Sequence, residues 1–218
     1  DLNIMIIVLL SGVITAFVGI LFGLPSLRIK GFYLAVATLA SQFFIIWLFN
    51  KVPWFYNYSD TGQITVSERT MFGVAVTGAN APPYATYLFC LILVVVLGFA
   101  AKNMIRSKIG RSWMAIRDMD IAAEIIGVPP LKTKLSAFAI SSFYIGIAGS
   151  LYFAVYLGAL EVTESFDIMA ISFPVLFMII IGGLGSMLGS FLGEAFIVLL
   201  QIFLKNVMVD LIGLSAVT

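Results

Sequence analysis

Long uncharged apolar runs, one after another, leave this chain few ways to fold. No charged residue occurs from Leu2 to Leu27, from Gly31 to Asn50, from Tyr84 to Ala101, from Leu135 to Leu160 or from Ile168 to Gly193. A helix needs ~20 consecutive apolar residues to cross the hydrocarbon core of a bilayer. Set against that length, the runs give six helices: Ile4–Leu24, Gly31–Asn50, Tyr84–Ala101, Leu135–Leu160, Ile168–Ile181 and Leu188–Leu204. Pro82-Pro83 bars any earlier start of the third. The last two are shorter and separated by Gly182-Gly183-Leu184-Gly185-Ser186, which reads as a broken or re-entrant pair. The fold class that follows is all-α: a polytopic membrane helix bundle of about six spans, some broken at Gly or Pro. Composition agrees, with 61% hydrophobic and 11% charged residues, where an ordinary soluble domain carries about 25% charge.

Orientation comes from the basic residues, which collect in short cytoplasmic loops. Lys102, Arg106, Lys108, Arg111, Arg117, Lys132 and Lys134 make seven of the twelve, all within about 102–134. That segment belongs in the cytoplasm, and Arg28 and Lys30, two crossings earlier, go with it. The loop Lys51–Pro83 and the acidic loop holding Glu161, Glu164 and Asp167 then fall on the outer side. Trp47, Trp54, Phe55, Tyr56 and Tyr58 mark the outer interface, where amphipathic rings settle.

Several function classes drop out. The chain has no histidine and a single cysteine, Cys90, inside an apolar run. It therefore lacks the commonest general base and metal ligand, and an internal disulfide. No carboxylate pair stands in a plausible cleft, so an enzyme is not expected, nor is a metal or a cofactor. A net charge of +1 cannot neutralise many phosphates, which argues against nucleic acid. No G-x-x-x-x-G-K-[ST] phosphate loop occurs, so energy for any transport comes from a separate chain or an ion gradient. Rows of small residues at four-residue spacing (Gly19 and Gly23; Ser142, Gly146 and Ser150; Gly185, Gly189 and Gly193) predict close helix packing.

The cytoplasmic segment holds the most specific pattern. Asp118 or Asp120 is placed to cap a short helix running through Ile121-Ala122-Ala123-Glu124-Ile125-Ile126, which Gly127 ends and Pro129-Pro130 cannot continue. Ile121 and Ile125 share one face, Ala122 and Ile126 the next. Outside the membrane, such an apolar face predicts a docking surface for another protein, or else a helix resting on lipid headgroups.

This stretch resembles the coupling loop of ABC-importer inner-membrane permeases, whose loose signature is Glu-Ala-Ala followed by Gly. Here the order is Ala122-Ala123-Glu124 and then Gly127, a permutation typical of the branched-chain amino acid (LivM-type) branch. The segments Leu24-Pro25-Ser26-Leu27-Arg28, Gly31 to Leu39, Gly110-Arg111-Ser112-Trp113-Met114-Ala115-Ile116-Arg117, Ala137 to Gly149 and Gly182 to Gly189 are similar to that branch in the same order. The resemblance implies the ABC importer permease fold as one transmembrane domain over residues 1–218 in the bacterial inner membrane; a start at Asp1 rather than Met and an end at Thr218 just after an apolar run lead us to expect that both ends are trimmed. It implies two ATP-binding subunits, a second permease of LivH type or a second copy, and a periplasmic substrate-binding protein delivering Leu, Ile or Val. ATP hydrolysis would then lie in the separate subunits. Asp118, Asp120, Ile121, Ala122, Ala123, Glu124, Ile125 and Gly127 would couple to the ATPase, flanked by Gly110, Arg111 and Arg117. A urea, short-amide or simple-sugar permease would look nearly the same, and an ion-driven carrier would also show broken helices.

For the substrate path, broken helices offer backbone donors and acceptors, which singles out Pro25, Gly31, Gly182, Gly183 and Gly185. Thr61-Gly62-Gln63 is similar to a Thr-Gly-Gly motif of the family's outer loop but lacks the second glycine. Glu194 is the one acid between two apolar runs, a functional candidate by position or a residue at a helix N-terminal dipole.

Overall fold

A computed structural model describes residues 3–27, 32–56, 58, 59, 63–71, 74–78, 81–161, 171–183 and 185–212. Arg28, Lys30, Gly31, Thr61, Gly62, Glu164 and Asp167 lie outside them. The chain forms two compact units, residues 1–162 and 163–218, each described by itself.

In the first unit, α1 (Ile4–Ser26) is capped by Asn3, whose side chain accepts from the Met5 N–H. At 1.5 Å per residue it is ~35 Å long, enough to cross a bilayer. Pro25 does not break it. The helix runs through Pro25 to Ser26, because a proline in the last turn removes only one intrahelical donor. α2 (Phe32–Lys51) leads to a 3-10 turn, Pro53–Tyr56, where Trp54 and Phe55 meet edge to face at 5.2 Å. α3 (Pro83–Arg106) starts on Pro83 with Pro82 as its cap, the position at which a missing N–H costs least. It outruns the expected Tyr84–Ala101 at its basic end, since Lys102 and Arg106 can snorkel. α6 (Pro130–Leu151) likewise begins on a proline, earlier than Leu135, and continues as a π-helical segment, Tyr152–Leu157.

Between α3 and α6 the basic segment is largely helical. α4 (Lys108–Asp118) and α5 (Asp120–Ile125) follow each other with one residue between. Four short strands occur among the described residues of the unit. β1 (Gln63–Thr65) pairs antiparallel with β4 (Ala159–Glu161), Gln63 opposite Glu161. β2 (Arg69–Met71) pairs antiparallel with β3 (Val74–Thr77).

The small residues organise the packing of α1 on α6. A Cβ on Gly12 would press on Phe143 and Ile147, one on Gly19 on Ser142, and one on Gly23 on Phe138. As numbers rise in α1 they fall in α6, so the helices are antiparallel. Ser11 Oγ donates to the Gly146 carbonyl at 3.1 Å, and Tyr144 Oη to the Leu97 carbonyl of α3 at 3.1 Å. The end of α1 that precedes Arg28 and Lys30 in sequence thus sits beside the end of α6 bearing Lys132 and Lys134. The β1–β4 pairing joins the two loops assigned to the outer side. Both meetings agree with the orientation read from the basic residues.

The core is thin: Ile4, Val8, Val76, Phe89, Leu93 and Ile147 form it, at the strand end of the helices. Most large apolar side chains point outward instead, Phe17, Phe43, Ile92 and Phe99 among them. Only 11% of the apolar window of α3 is buried. Water would not tolerate that surface on a helix this long, and lipid does. Among the described residues, four helices are long and apolar enough to span; the apolar stretch Val36–Lys51 of α2 and one further helix are shorter.

That further helix is in the second unit. α7 (Phe173–Gly182) is ten residues, ~15 Å, half a hydrocarbon core. α8 (Met187–Ile212) is twenty-six residues, longer than the expected Leu188–Leu204 and able to span alone.

Candidate coupling surface and transport path

The two aspartates expected to cap the cytoplasmic helix do not. Met119 is the N-cap of α5 and its side chain makes no cap hydrogen bond. Asp118 ends α4 and pairs with its neighbour Arg117 at 2.9 Å, and Asp120 opens α5 and pairs with Lys134 of α6 at 3.4 Å. Asp120 in the first turn still favours the helix dipole. Gly127 ends α5 in the expected way. Its φ of +89° is reached readily by glycine alone. Its N–H meets the Glu124 carbonyl while the Val128 N–H reaches back to Ala123, the paired bonds of a Schellman cap.

The surface of α5 divides sharply. Ala123 is only 2% exposed, turned onto the protein, while Ile121, Ile125 and Ile126 are 74, 82 and 75% exposed, with Met119 beside them at 70%. Glu124 is exposed as well. The helix therefore rests on a single small residue and presents its large apolar ones outward.

α4 holds that helix in place. Ile116 is buried, and a Cβ on Gly110 would collide with the Ile105 carbonyl, so the α3–α4 turn closes only on glycine. Trp113 Nε1 donates to Ser136 Oγ at 2.9 Å, and Ser136 Oγ donates on to the Thr133 carbonyl at 2.8 Å. Arg111 Nη1 reaches the Arg106 carbonyl, leaving its side chain exposed like that of Arg117. Nothing in the sequence pattern paired Trp113 with Ser136. The available signal was an indole in a basic cytoplasmic segment, whose N–H must find a partner once it packs.

The path candidates divide between the units. Pro25 is in the last turn of α1. In the second unit, Gly182, Gly183 and Gly185 form the joint between α7 and α8, the last two at φ +98° and +94°. Ser186 caps α8 by accepting from the Gly189 N–H at 3.1 Å. A Cβ on Gly182 would collide with the Gly189 carbonyl, one on Gly189 with the Gly182 carbonyl, and one on Gly193 with the Met178 carbonyl. The glycine row of α8 is thus the seam along which α7 packs. Glu194 is not at the helix start; it is exposed, two turns along α8. No group of three potential metal ligands occurs among the described residues.

A family model described as "Branched-chain amino acid transport system / permease component" matches residues 1–211. The chain belongs to this family. The match runs from α1 to the last turn of α8, and so takes in the α4–α5 segment and the glycine seam together. Among curated proteins, the chain is 30% identical to the high-affinity branched-chain amino acid transport system permease proteins LivM of Salmonella typhimurium and Escherichia coli, over 90% of its own length and 50% of theirs. It is 28% identical to a probable ABC transporter permease protein, y4mJ, of Sinorhizobium fredii, over 84% of this chain and 54% of that one. The chain thus spans about half the length of the curated relatives it matches. No solved structure matches it.

Proposed function

We propose that this chain is the membrane-spanning permease part of an ATP-driven importer of branched-chain amino acids in the bacterial inner membrane. In this reading α5 seats its isoleucines in an ATP-binding subunit on the cytoplasmic side. The observation that carries it is the exposed face of Met119, Ile121, Ile125 and Ile126 in a chain of this permease family. Apolar side chains standing in water at a membrane protein's cytoplasmic end gain most by entering a partner's cleft. The Asp120–Lys134 pair links the same helix to α6, and Trp113 links the preceding helix α4 to Ser136 of α6, so closure of a pair of ATP-binding subunits would move α6, and α1 locked to it, between inward- and outward-facing arrangements. A periplasmic binding protein would deliver Leu, Ile or Val, and a second permease chain would complete the pore.

Co-expression with its operon neighbours tests the reading. Detergent purification is expected to bring ATP-binding subunits down with the chain. Reconstituted vesicles are expected to take up leucine only when ATP is inside and a binding protein outside. Uptake that follows an ion gradient, or purification free of any ATP-binding subunit, would overturn it.

A further inference from the structure

The second unit holds a polar row where lipid is the default surrounding. Ser190, Glu194, Gln201 and Lys205 all lie in the apolar window Met187–Val207 of α8, and all four are exposed. A helix advances about 100° per residue, which brings the four within an arc of about 60°. Ile197 falls on the edge of that row. The Ser190 hydroxyl turns back on its own helix to the Ser186 carbonyl at 3.3 Å. Glu194, Gln201 and Lys205 have no hydrogen-bond or ion-pair partner among the described residues. Eleven residues, ~16 Å, separate the carboxylate from the ammonium, so neither neutralises the other.

The rest of the helix surface is ordinary for a span. Gly189 and Gly193 form the seam with α7 on one side. Leu188, Leu192, Leu199, Ile202 and Phe203 are exposed on the other, in keeping with lipid. Lys205, near the end of the window, has the reach to snorkel. Glu194 and Gln201 stand ~10 and ~21 Å along the helix and have no such reach. A carboxylate and an amide at those depths require water or a polar solute. The row also mixes hydroxyl, carboxylate, amide and ammonium, and a neighbouring helix would have to answer each of them over ~22 Å.

We infer that this stripe lines a water-filled passage through the membrane, and that Glu194 receives the ammonium group of an amino acid moving along it. The second half of the inference rests on the amino-acid reading above; the first does not.

The test uses the full transporter, co-expressed with its partners, with Cys90→Ser removing the native thiol. Single cysteines go in at Ser190→Cys and Gln201→Cys on the stripe, and at Leu192→Cys and Leu199→Cys on the opposite face. A membrane-impermeant trimethylammonium methanethiosulfonate reagent is expected to label the first two at least about tenfold faster than the last two, because a thiolate forms only in water. Equal, slow labelling at all four overturns the passage. So does oxidative cross-linking of the stripe cysteines to another chain, which would assign the row to a partner helix. Glu194→Gln is expected to lower leucine uptake roughly tenfold or more with ATP-binding subunits still bound, and Glu194→Asp to restore part of it. Unchanged uptake in Glu194→Gln overturns the ammonium contact. If the unsubstituted transporter shows no ATP-dependent amino-acid uptake at all, the amino-acid reading has failed, while the labelling pattern still decides the passage.

Discussion

α5 and α8 are each dressed for the wrong solvent, in opposite senses. α5, too short and too polar to span, exposes three isoleucines. α8 runs through the bilayer and exposes a glutamate and a glutamine. By contrast, α1 and α6 leave little unresolved: their small residues meet, and a hydroxyl–carbonyl bond closes between them. The pair α1–α6 is a finished interface within one chain. On the readings proposed above, the faces of α5 and α8 meet something beyond it, a protein cleft for the first and water or solute for the second.

The sharpest way to break the contrast is to give α5 the surface that water prefers. Replacing Ile121 and Ile125 together by Asp is expected to abolish uptake and co-purification of ATP-binding subunits, a loss of about 100-fold or more in affinity. The fold should survive, since both side chains are already in solvent; intact yield and detergent melting would check that. Next, Gly110→Ala drives a methyl into the Ile105 carbonyl. That overpacking should cost about 1–3 kcal/mol, read as a lower melting temperature of the purified chain. Gly127→Ala should cost about 1 kcal/mol from its positive φ and reduce uptake more than it reduces binding of the ATP-binding subunit. Trp113→Phe removes a donor from Ser136, which keeps its own bond to Thr133. About 0.5–1.5 kcal/mol of stability is expected to go with it. Smallest of all, Lys134→Met breaks a half-exposed pair with Asp120, worth about 0–1 kcal/mol and less at high salt. A larger effect there would mean that the pair is buried by a partner.

Much of this was readable in the residues, for identifiable reasons. Charge-free runs located the spans, because lipid permits few other readings of Leu2–Leu27 or Leu135–Leu160. Gly127 announced the end of α5, since the left-handed conformation that closes a helix costs glycine least. The rows through Gly19 and Gly146 announced contact but not partners; which helix meets which is a property of the folded chain. The helical α4 was hidden by its charge, and the caps of α5 were misassigned because Asp118 and Asp120 each had a nearer cation. The paired strands were hidden by their brevity, three or four residues each. The polar row of α8 was present as single residues, Glu194 and Gln201 among them, and became a stripe only once one unbroken helix joined them.

One measurement bears on the central claim without intermediaries. A photo-activated benzophenone amino acid placed at position 125, in membranes of cells producing the whole transporter, reports what covers α5. A covalent adduct with an ATP-binding subunit, lost when that subunit is deleted, is the predicted result. An adduct with lipid alone, or with a protein of the outer side, would contradict the account.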